Sequence, residues 1–247
     1  MPLVGIIEEG EELLWDDALA LSLKGMTEFP YPLLAAIRAS NKDRYPISAS
    51  KLGHCPRQSY YQATVDYYVV PGGQLAPMMG TWAHTLVEEN TPPNTMAELE
   101  LEWTTPEGVR VTGTADLVDV PNSTLSDWKT TRWMVPAKLP YGTHASQVNT
   151  YRWLLWKDKG VKVDRLQICY VDLTGPDKKG GTHNGFYAVD IDIWDDDVID
   201  KYIRENGLLL HQLIFEGCTT LPKRVGGNKK WMCNFCPPRI YEACYAE

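Results

Sequence analysis

The feature that most restricts the fold is a run rich in β-branched residues, 109–120, which a Pro-Asn-Ser turn joins to a second strand-like run, 124–130. This pattern predicts two antiparallel strands connected by a tight turn. Asp116 lies about as far before the turn as Asp127 lies after it, so we expect their carboxylates to be neighbours on adjacent strands. Because side chains alternate along a strand, Asp127 and Lys129 share one face. Two carboxylates and one ammonium group should therefore converge on a single patch.

That grouping of side chains suits the hydrolysis of phosphodiester bonds. Carboxylate oxygens bind Mg²⁺ or Mn²⁺, which prefer hard oxygen ligands. Such an ion polarises the phosphoryl oxygen and helps to generate hydroxide, while a lysine positions the attacking water or stabilises developing charge. The alternative is a hairpin that merely carries surface charges, and an Asp-x-Lys sequence without the strand context would favour that alternative.

Hydrophobic patterning predicts further helices and strands on both sides of the hairpin. In chain order these are a helix at 8–26, a helix at 77–89, a strand at 96–103, the two hairpin strands, a helix at 144–157, strands at 165–173 and 186–193, and a helix at 194–215. Helices interleaved with strands predict an α/β fold in which a mixed central β-sheet is flanked by helices. We expect residues 1–47 to form an N-terminal helical extension and residues 48–247 to form the main domain.

Composition narrows the functional class. The net charge of -8 argues against a protein that simply coats nucleic acid, because such proteins carry an excess of Lys and Arg. Carboxylates gathered around divalent ions attract phosphate once the ions bind, so the charge does not oppose DNA cleavage. No apolar run approaches the ~20 residues of a membrane helix. Early glutamates replace the basic and apolar start of a secretory signal, so we expect a cytoplasmic protein without membrane contact.

Asp116 followed by Asp127-x-Lys129 resembles the core motif of the PD-(D/E)XK nuclease superfamily. The proline of that name is absent here, and an alanine stands in its place. The resemblance implies a restriction-endonuclease-like core in which Asp116 and Asp127 bind a divalent metal and Lys129 acts on the attacking water. Glu88 and Glu100 are two further candidates for the metal site, although exposed glutamates are common.

Two more motifs resemble the RecB-like branch of that superfamily. Gly80-x-x-x-His84, on a predicted helix, resembles the first motif of the branch, whose histidine is a metal ligand. Gln147-x-x-x-Tyr151 resembles its Gln-x-x-x-Tyr motif, and residues four apart lie on one face of a helix. The resemblance implies that His84 binds metal, and that Gln147 and Tyr151 contact the DNA backbone or order the site.

The chain has six cysteines, and in a reducing cytosol their clustering suggests metal ligation more than disulfide bonds. Cys233-x-x-Cys236 brings two thiolates within reach of one metal ion or cluster. Cys244 follows, and Cys55 is the best candidate for a fourth ligand. Cys218 is an alternative to Cys244 or Cys55, and the spacing alone is compatible with either Zn²⁺ or an iron–sulfur cluster.

This distribution resembles the iron–sulfur nucleases of the RecB-like branch, which include the Cas-four exonucleases of CRISPR adaptation and the nuclease domain of AddB. In those proteins one cysteine precedes the nuclease core and three lie near the C-terminus, and together they hold a 4Fe–4S cluster. The resemblance favours 4Fe–4S over Zn²⁺. It implies a RecB-like nuclease domain at 48–247, with a cluster module formed by about 48–60 and 222–247 that joins the N- and C-terminal segments.

The expected function is that of a DNA exonuclease that uses Mg²⁺ or Mn²⁺ and acts on single strands or strand ends. The resemblance favours activity from 5′ ends, in recombination, repair or CRISPR adaptation. One alternative is a structure-specific endonuclease with the same core, which would also cut circular single-stranded DNA. The other is a DNA-binding subunit of an integrase or helicase complex, whose nuclease activity is incidental.

Overall fold

The computed structural model describes residues 3–41, 45–131, 138–173, 185–217, 220–225, 230, 232–234 and 236–246. The chain divides into two compact units, each assembled from separated segments. The terminal unit comprises Met1–Pro46, His54–Met78 and Leu210–Glu247. The central unit comprises Ile47–Gly53 and Met79–Leu209.

Helices and strands are interspersed along the chain. In order they are β1 (Leu3–Glu8), β2 (Glu11–Leu14), α1 (Trp15–Leu23), α2 (Tyr31–Ser40), α3 (Ala49–Leu52), α4 (Pro56–Thr64), β3 (Tyr67–Val69), α5 (Pro71–Glu89), β4 (Thr95–Thr104), β5 (Arg110–Asp119), β6 (Thr124–Thr131), α6 (Gly142–Lys159), β7 (Arg165–Asp172), β8 (Phe186–Ile191), α7 (Asp196–Phe215) and α8 (Pro238–Ala246). No helix within the described ranges combines the length and apolar character needed to cross a membrane.

The terminal unit contains a three-stranded sheet with the order β2-β1-β3, in which β3 runs parallel to β1. The predicted helix at 8–26 is wrong before Trp15, because a β-hairpin occupies that stretch. Glu9 and Gly10 have φ angles of 50° and 89°, and positive φ at both central residues is what a two-residue type I′ hairpin turn requires. The helical reading is correct from Trp15 to Leu23, where Trp15 and Ala18 join the buried apolar core.

The central unit contains a five-stranded sheet with the order β4-β5-β6-β7-β8. Only β6 and β7 pair in parallel, and the other described neighbours are antiparallel. The prediction of an α/β fold with a mixed central sheet is therefore confirmed. The predicted hairpin is also confirmed, with Leu117 opposite Ser126 and Asp119 opposite Thr124.

Helix α6 makes the crossover between the two parallel strands, which a short turn cannot connect. It lies where a helix was predicted at 144–157, and it ends at Gly160, whose φ of 69° suits a glycine cap. Val148, Leu154 and Leu155 on this helix are fully buried. The helix packs against β4, β5, β6 and β7, and it thereby covers the strands that carry the candidate site.

Candidate active site

The β5–β6 hairpin brings two buried aspartates together. The β5–β6 pairing ends at Leu117 opposite Ser126, and Asp116 and Asp127 are the next residues along the two strands. Asp116 is 6% exposed and Asp127 is fully buried. One carboxylate oxygen of Asp116, Oδ2, accepts the backbone N–H of Trp128 at 2.6 Å. This bond fixes the Asp116 carboxylate against the neighbouring strand.

Asp127 and Lys129 form an ion pair on β6. The distance from Lys129 Nζ to Asp127 Oδ2 is 2.6 Å, as expected for side chains two residues apart on one face of a strand. Asp127 Oδ1 is buried and has no hydrogen-bond partner among the described residues. A buried carboxylate oxygen without a partner is costly, and a metal ion is one group that satisfies it.

His84 on α5 and Glu98 on β4 complete a group around Asp116. His84 Nδ1 lies 3.1 Å from Glu98 Oε1 and 3.5 Å from Asp116 Oδ1. One ligand atom from each of the three residues lies within 4.8 Å of the other two. Gly80, one turn before His84, lies so near β6 that a β-carbon there would be 3.3 Å from Thr130 Oγ1. The glycine therefore lets α5 approach the sheet closely.

Burial and like charge shift the protonation of this group. The pKa of Asp116 is raised to about 7, chiefly because the carboxyl is buried and secondly because Asp127 carries a negative charge beside it. The pKa of His84 is also raised, chiefly by its hydrogen bond to Glu98 and further by the charge of Asp116. The group therefore binds protons at neutral pH, and a metal cation can displace those protons when it binds.

Sequence reasoning missed Glu98 and named two other glutamates. The three-residue group does not include Glu88 or Glu100. Glu98 lies opposite Asp116 in the β4–β5 register, because Ala97 pairs with Leu117 and Leu99 with Ala115. The alternation of Glu98 and Glu100 along β4 put both on one face, and only the register distinguishes them. Glu98 has a φ of 46°, a conformation that costs a non-glycine residue about 1–3 kcal/mol and is concentrated at functional sites.

Gln147 and Tyr151 lie on α6 and are hydrogen-bonded to each other. Gln147 Nε2 donates to Tyr151 Oη at 2.6 Å, and Tyr151 is 5% exposed. The tyrosine ring packs on Gly113 of β5, where a β-carbon would come within 2.8 Å of the ring. This pair therefore lies against the strand that carries Asp116.

The four cysteines singled out in the sequence line one cavity, but they do not form a tight group. One cavity in the terminal unit is lined by Cys55, Cys233, Cys236 and Cys244. In the described part of the chain their sulfur atoms form no group of three within 4.8 Å, so they are spread around the cavity. Burial, and then the neighbouring thiols, raise the pKa of Cys236 to about 11. Cys169 is instead buried in strand β7, and Cys218 lies outside the described residues.

Solved structures that are similar to this chain have low sequence identity to it. The chain is similar in structure to SSO0001, with 18% sequence identity and a TM-score of 0.54 over 85% of this chain and 92% of that one. A phage-related exonuclease from Haemophilus somnus 129PT is 14% identical, with a TM-score of 0.45 over 71% of this chain and 96% of that one. At such identities the first likeness speaks for the fold alone, and the second is too distant to support an argument.

No curated protein matches the chain. The sequence model of the PD-(D/E)XK nuclease superfamily matches residues 75–241, well over half of the chain. The matched segment carries the histidine, the carboxylates and the lysine of the site described above. The chain therefore belongs to the PD-(D/E)XK nuclease superfamily, whose nucleases use divalent metals.

Proposed function

We propose that the chain is a metal-dependent DNA exonuclease of the RecB-like branch, acting on single strands or strand ends. The observation that supports this best is the His84–Glu98–Asp116 group beside the Asp127–Lys129 ion pair. Converging buried carboxylates cost stability, and a protein that acts only as an adaptor has no physical need for them. The resemblance of the motifs to the branch supports action from 5′ ends, in recombination, repair or CRISPR adaptation.

The donor set fits a divalent cation. His84, Glu98, Asp116 and Asp127 would hold Mg²⁺ or Mn²⁺, because three carboxylates and one imidazole suit a hard, octahedral ion. The buried Oδ1 of Asp127, which has no partner among the described residues, is the atom most in need of such an ion. When bound, the ion supplies Lewis acidity toward the phosphoryl group and activates water for attack.

Lys129 has the position needed to act on the attacking water or the developing phosphate charge. Its ammonium group is held by Asp127, and its side chain remains 20% exposed. A lysine fixed in this way loses little freedom when substrate arrives, and preorganised charge is an effective way to stabilise a transition state. We propose that Gln147 and Tyr151 order this site and contact the DNA backbone from α6.

Glu98→Gln is expected to weaken Mn²⁺ binding at least about tenfold, the scale found when partners of metal ligands are removed. The substitution keeps the size of the side chain but removes a carboxylate from the three-residue group. Isothermal titration with Mn²⁺ measures the effect. Glu100→Gln, two residues along the same strand and outside the group, is the matched control. Equal affinities for the two variants would contradict the assignment of Glu98 as a ligand.

The proposed activity is tested by digesting end-labelled linear and circular single-stranded DNA with the wild-type protein and Mn²⁺. An exonuclease degrades the linear substrate, leaves the circle intact, and stops when EDTA is added. Cleavage of the circle would replace the exonuclease by a structure-specific endonuclease with the same core. Failure to cleave either substrate with Mg²⁺ or Mn²⁺ would favour a DNA-binding subunit of an integrase or helicase complex.

We further propose that the four cysteines lining the terminal-unit cavity hold a 4Fe–4S cluster. All five described cysteines are free thiols, as a reducing cytoplasmic location favours. The backbone N–H of Cys236 donates to the carbonyl of Cys233 at 3.2 Å, a tight turn that directs both thiols to the cavity. The resemblance of the cysteine distribution to the iron–sulfur nucleases of the RecB-like branch is what favours 4Fe–4S over Zn²⁺.

Cys233→Ala is expected to yield colourless and poorly soluble protein. Three remaining thiolates would hold the cluster weakly, and without the cluster the segments around the cavity are no longer cross-linked. Iron content and visible absorption after anaerobic purification measure the loss. Cys169→Ala is the matched control, since Cys169 lies on β7 and does not line the cavity. Normal iron content and solubility of the Cys233 variant would refute the cluster assignment.

A further inference from the structure

Arg57 is a buried arginine on α4 that contacts the cysteine-lined cavity. It is 6% exposed. Its Nε donates to Cys244 Sγ at 3.3 Å. Its Nη1 donates to the carbonyl of Pro222 at 3.2 Å, and its Nη2 donates to the carbonyl of Cys244 at 3.3 Å. Three donors of one guanidinium group are thus directed at the chain segment that supplies the cavity with its last cysteine.

The contact with sulfur differs in kind from the contacts with carbonyl oxygens. A guanidinium group is charged at any physiological pH, and burying it is costly unless an anion or several acceptors compensate. The bond from Nε to Cys244 Sγ therefore places a permanent positive charge in direct contact with one of the sulfur atoms that line the cavity.

Holding α4 to α8 does not by itself require that contact. Tyr61, one turn after Arg57 on α4, donates its hydroxyl to the carbonyl of Ala243 at 3.2 Å. Arg57 Nη2 bonds the next carbonyl along α8, that of Cys244. The two helices are thus already joined by two side chains through backbone oxygens, and the bond from Nε to Cys244 Sγ is additional to that junction.

We propose that Arg57 is a positioning residue for the thiolate centre, one that holds Cys244 as a ligand and raises the reduction potential of the cluster. This inference rests on the proposed 4Fe–4S cluster. A cluster with four thiolate ligands is anionic, and reduction adds a further negative charge. Hydrogen bonds to the cluster sulfurs and nearby charge set its potential, and a buried cation is screened little by salt. The Arg57 guanidinium therefore stabilises the reduced state more than the oxidised state.

Arg224 provides the contrast. It lines the same cavity, but its side chain is exposed, and its guanidinium lies 4.7 Å from the centre of the Tyr245 ring. An exposed charge in contact with solvent is screened within about 10 Å at 0.1 M salt. We expect Arg224 to influence the reduction potential much less than Arg57 does.

The test is a spectroelectrochemical titration of the full-length protein purified without oxygen. In Arg57→Gln the ratio of reduced to oxidised cluster at a fixed potential should fall about tenfold, which is a shift of about 59 mV for one electron. Arg57→Lys keeps the charge and should recover part of that shift. Tyr61→Phe and Arg224→Gln should each change the ratio less than twofold.

Loss of iron from Arg57→Gln together with its retention in Tyr61→Phe would also support the role, because only the former lacks the bond to sulfur. An unchanged midpoint potential and full iron content in Arg57→Gln would overturn it. A shift of the same size in Tyr61→Phe would reduce Arg57 to a helix contact. Wild-type protein without iron would overturn the inference and the cluster together, while DNA cleavage by that protein would leave the proposed nuclease function intact.

Discussion

Lys129→Ala is expected to lower the rate of DNA cleavage by about 10²–10³-fold while leaving Mn²⁺ binding intact, the scale reported for removal of one preorganised donor. Lys129 is the partner of Asp127, with its Nζ 2.6 Å from the carboxylate. Removing the ammonium group takes away positive charge beside the metal ligands, so the affinity for Mn²⁺ should stay the same or rise. The variant thus separates metal binding from chemistry.

Single-turnover cleavage of linear DNA at saturating Mn²⁺ measures the first effect, and isothermal titration measures the second. Lys201→Ala is the matched control, because Lys201 lies on α7 with its side chain 73% exposed. Cleavage by Lys129→Ala within threefold of the wild-type rate would exclude the lysine from the reaction. Loss of Mn²⁺ binding in that variant would show that Lys129 supports the metal site instead.

Asp116→Asn is expected to abolish cleavage and, in the absence of metal, to stabilise the fold. Loss of metal-based charge stabilisation worth several kcal/mol corresponds to at least about 10²–10³-fold in rate. The stability effect has the opposite sign because the pKa of Asp116 in the folded protein is raised from 3.8 to about 7. The amide oxygen of asparagine can still accept the backbone N–H of Trp128 that Asp116 accepts at 2.6 Å.

The pH dependence follows from that shift. Below the unfolded pKa of 3.8 the carboxyl is protonated in both states, and Asp116 adds no pH dependence. Between 3.8 and about 7 the unfolded chain ionises while the folded one does not, so the metal-free protein loses stability as pH rises. Above that range the penalty is complete, up to about 4 kcal/mol for a pKa raised from 3.8 to about 7. Asparagine does not titrate, so the Asp116→Asn variant lacks this penalty.

Urea unfolding in EDTA at pH 4, 6 and 8 measures this difference. The variant and the wild type should be equally sensitive to urea at pH 4 and diverge progressively toward pH 8, with the variant more stable. Added Mn²⁺ should then stabilise the wild type and not the variant, because a ligand stabilises only the state that binds it. A stability difference that stays constant with pH would show that Asp116 is ionised throughout, contrary to its burial.

The sheet and much of the site were predictable because local rules determine them. The β5–β6 hairpin follows from a β-branched run, a turn and a second strand-like run, and it brings Asp116 and Asp127 to neighbouring positions on adjacent strands. Predicting that Glu98 belongs to the site requires the register between β4 and β5. That register depends on the loop between the two strands, in which Gly108 has a φ of 82°. Hairpin register follows loop geometry, and the sequence does not state which of several five-residue loop conformations is adopted.

The terminal unit was harder to predict, because its contacts are between distant segments. Strand β3 pairs with β1 across about sixty residues of chain, and a strand of only three residues is too short for a local sequence pattern to predict it. Gly10 lies among glutamates and leucines whose spacing also fits a helix, and the Glu-Gly turn was the overlooked signal. Helix α8, at Pro238–Ala246, was not predicted, because the cysteine-rich tail that contains it looks irregular in sequence.

The assembly of the terminal unit from separated segments has a consequence for biosynthesis. Helix α4 and strand β3 both pack against α8, and residues such as Arg57 and Cys244 are 187 positions apart. At ribosomal rates of about 5–20 residues per second, α4 emerges roughly 9–36 s before α8 does. During that interval the faces of α4 and β3 that α8 covers are exposed on the nascent chain. The time during which a chaperone can bind these faces is therefore set by translation, and a ribosome that stalls late in the message lengthens it.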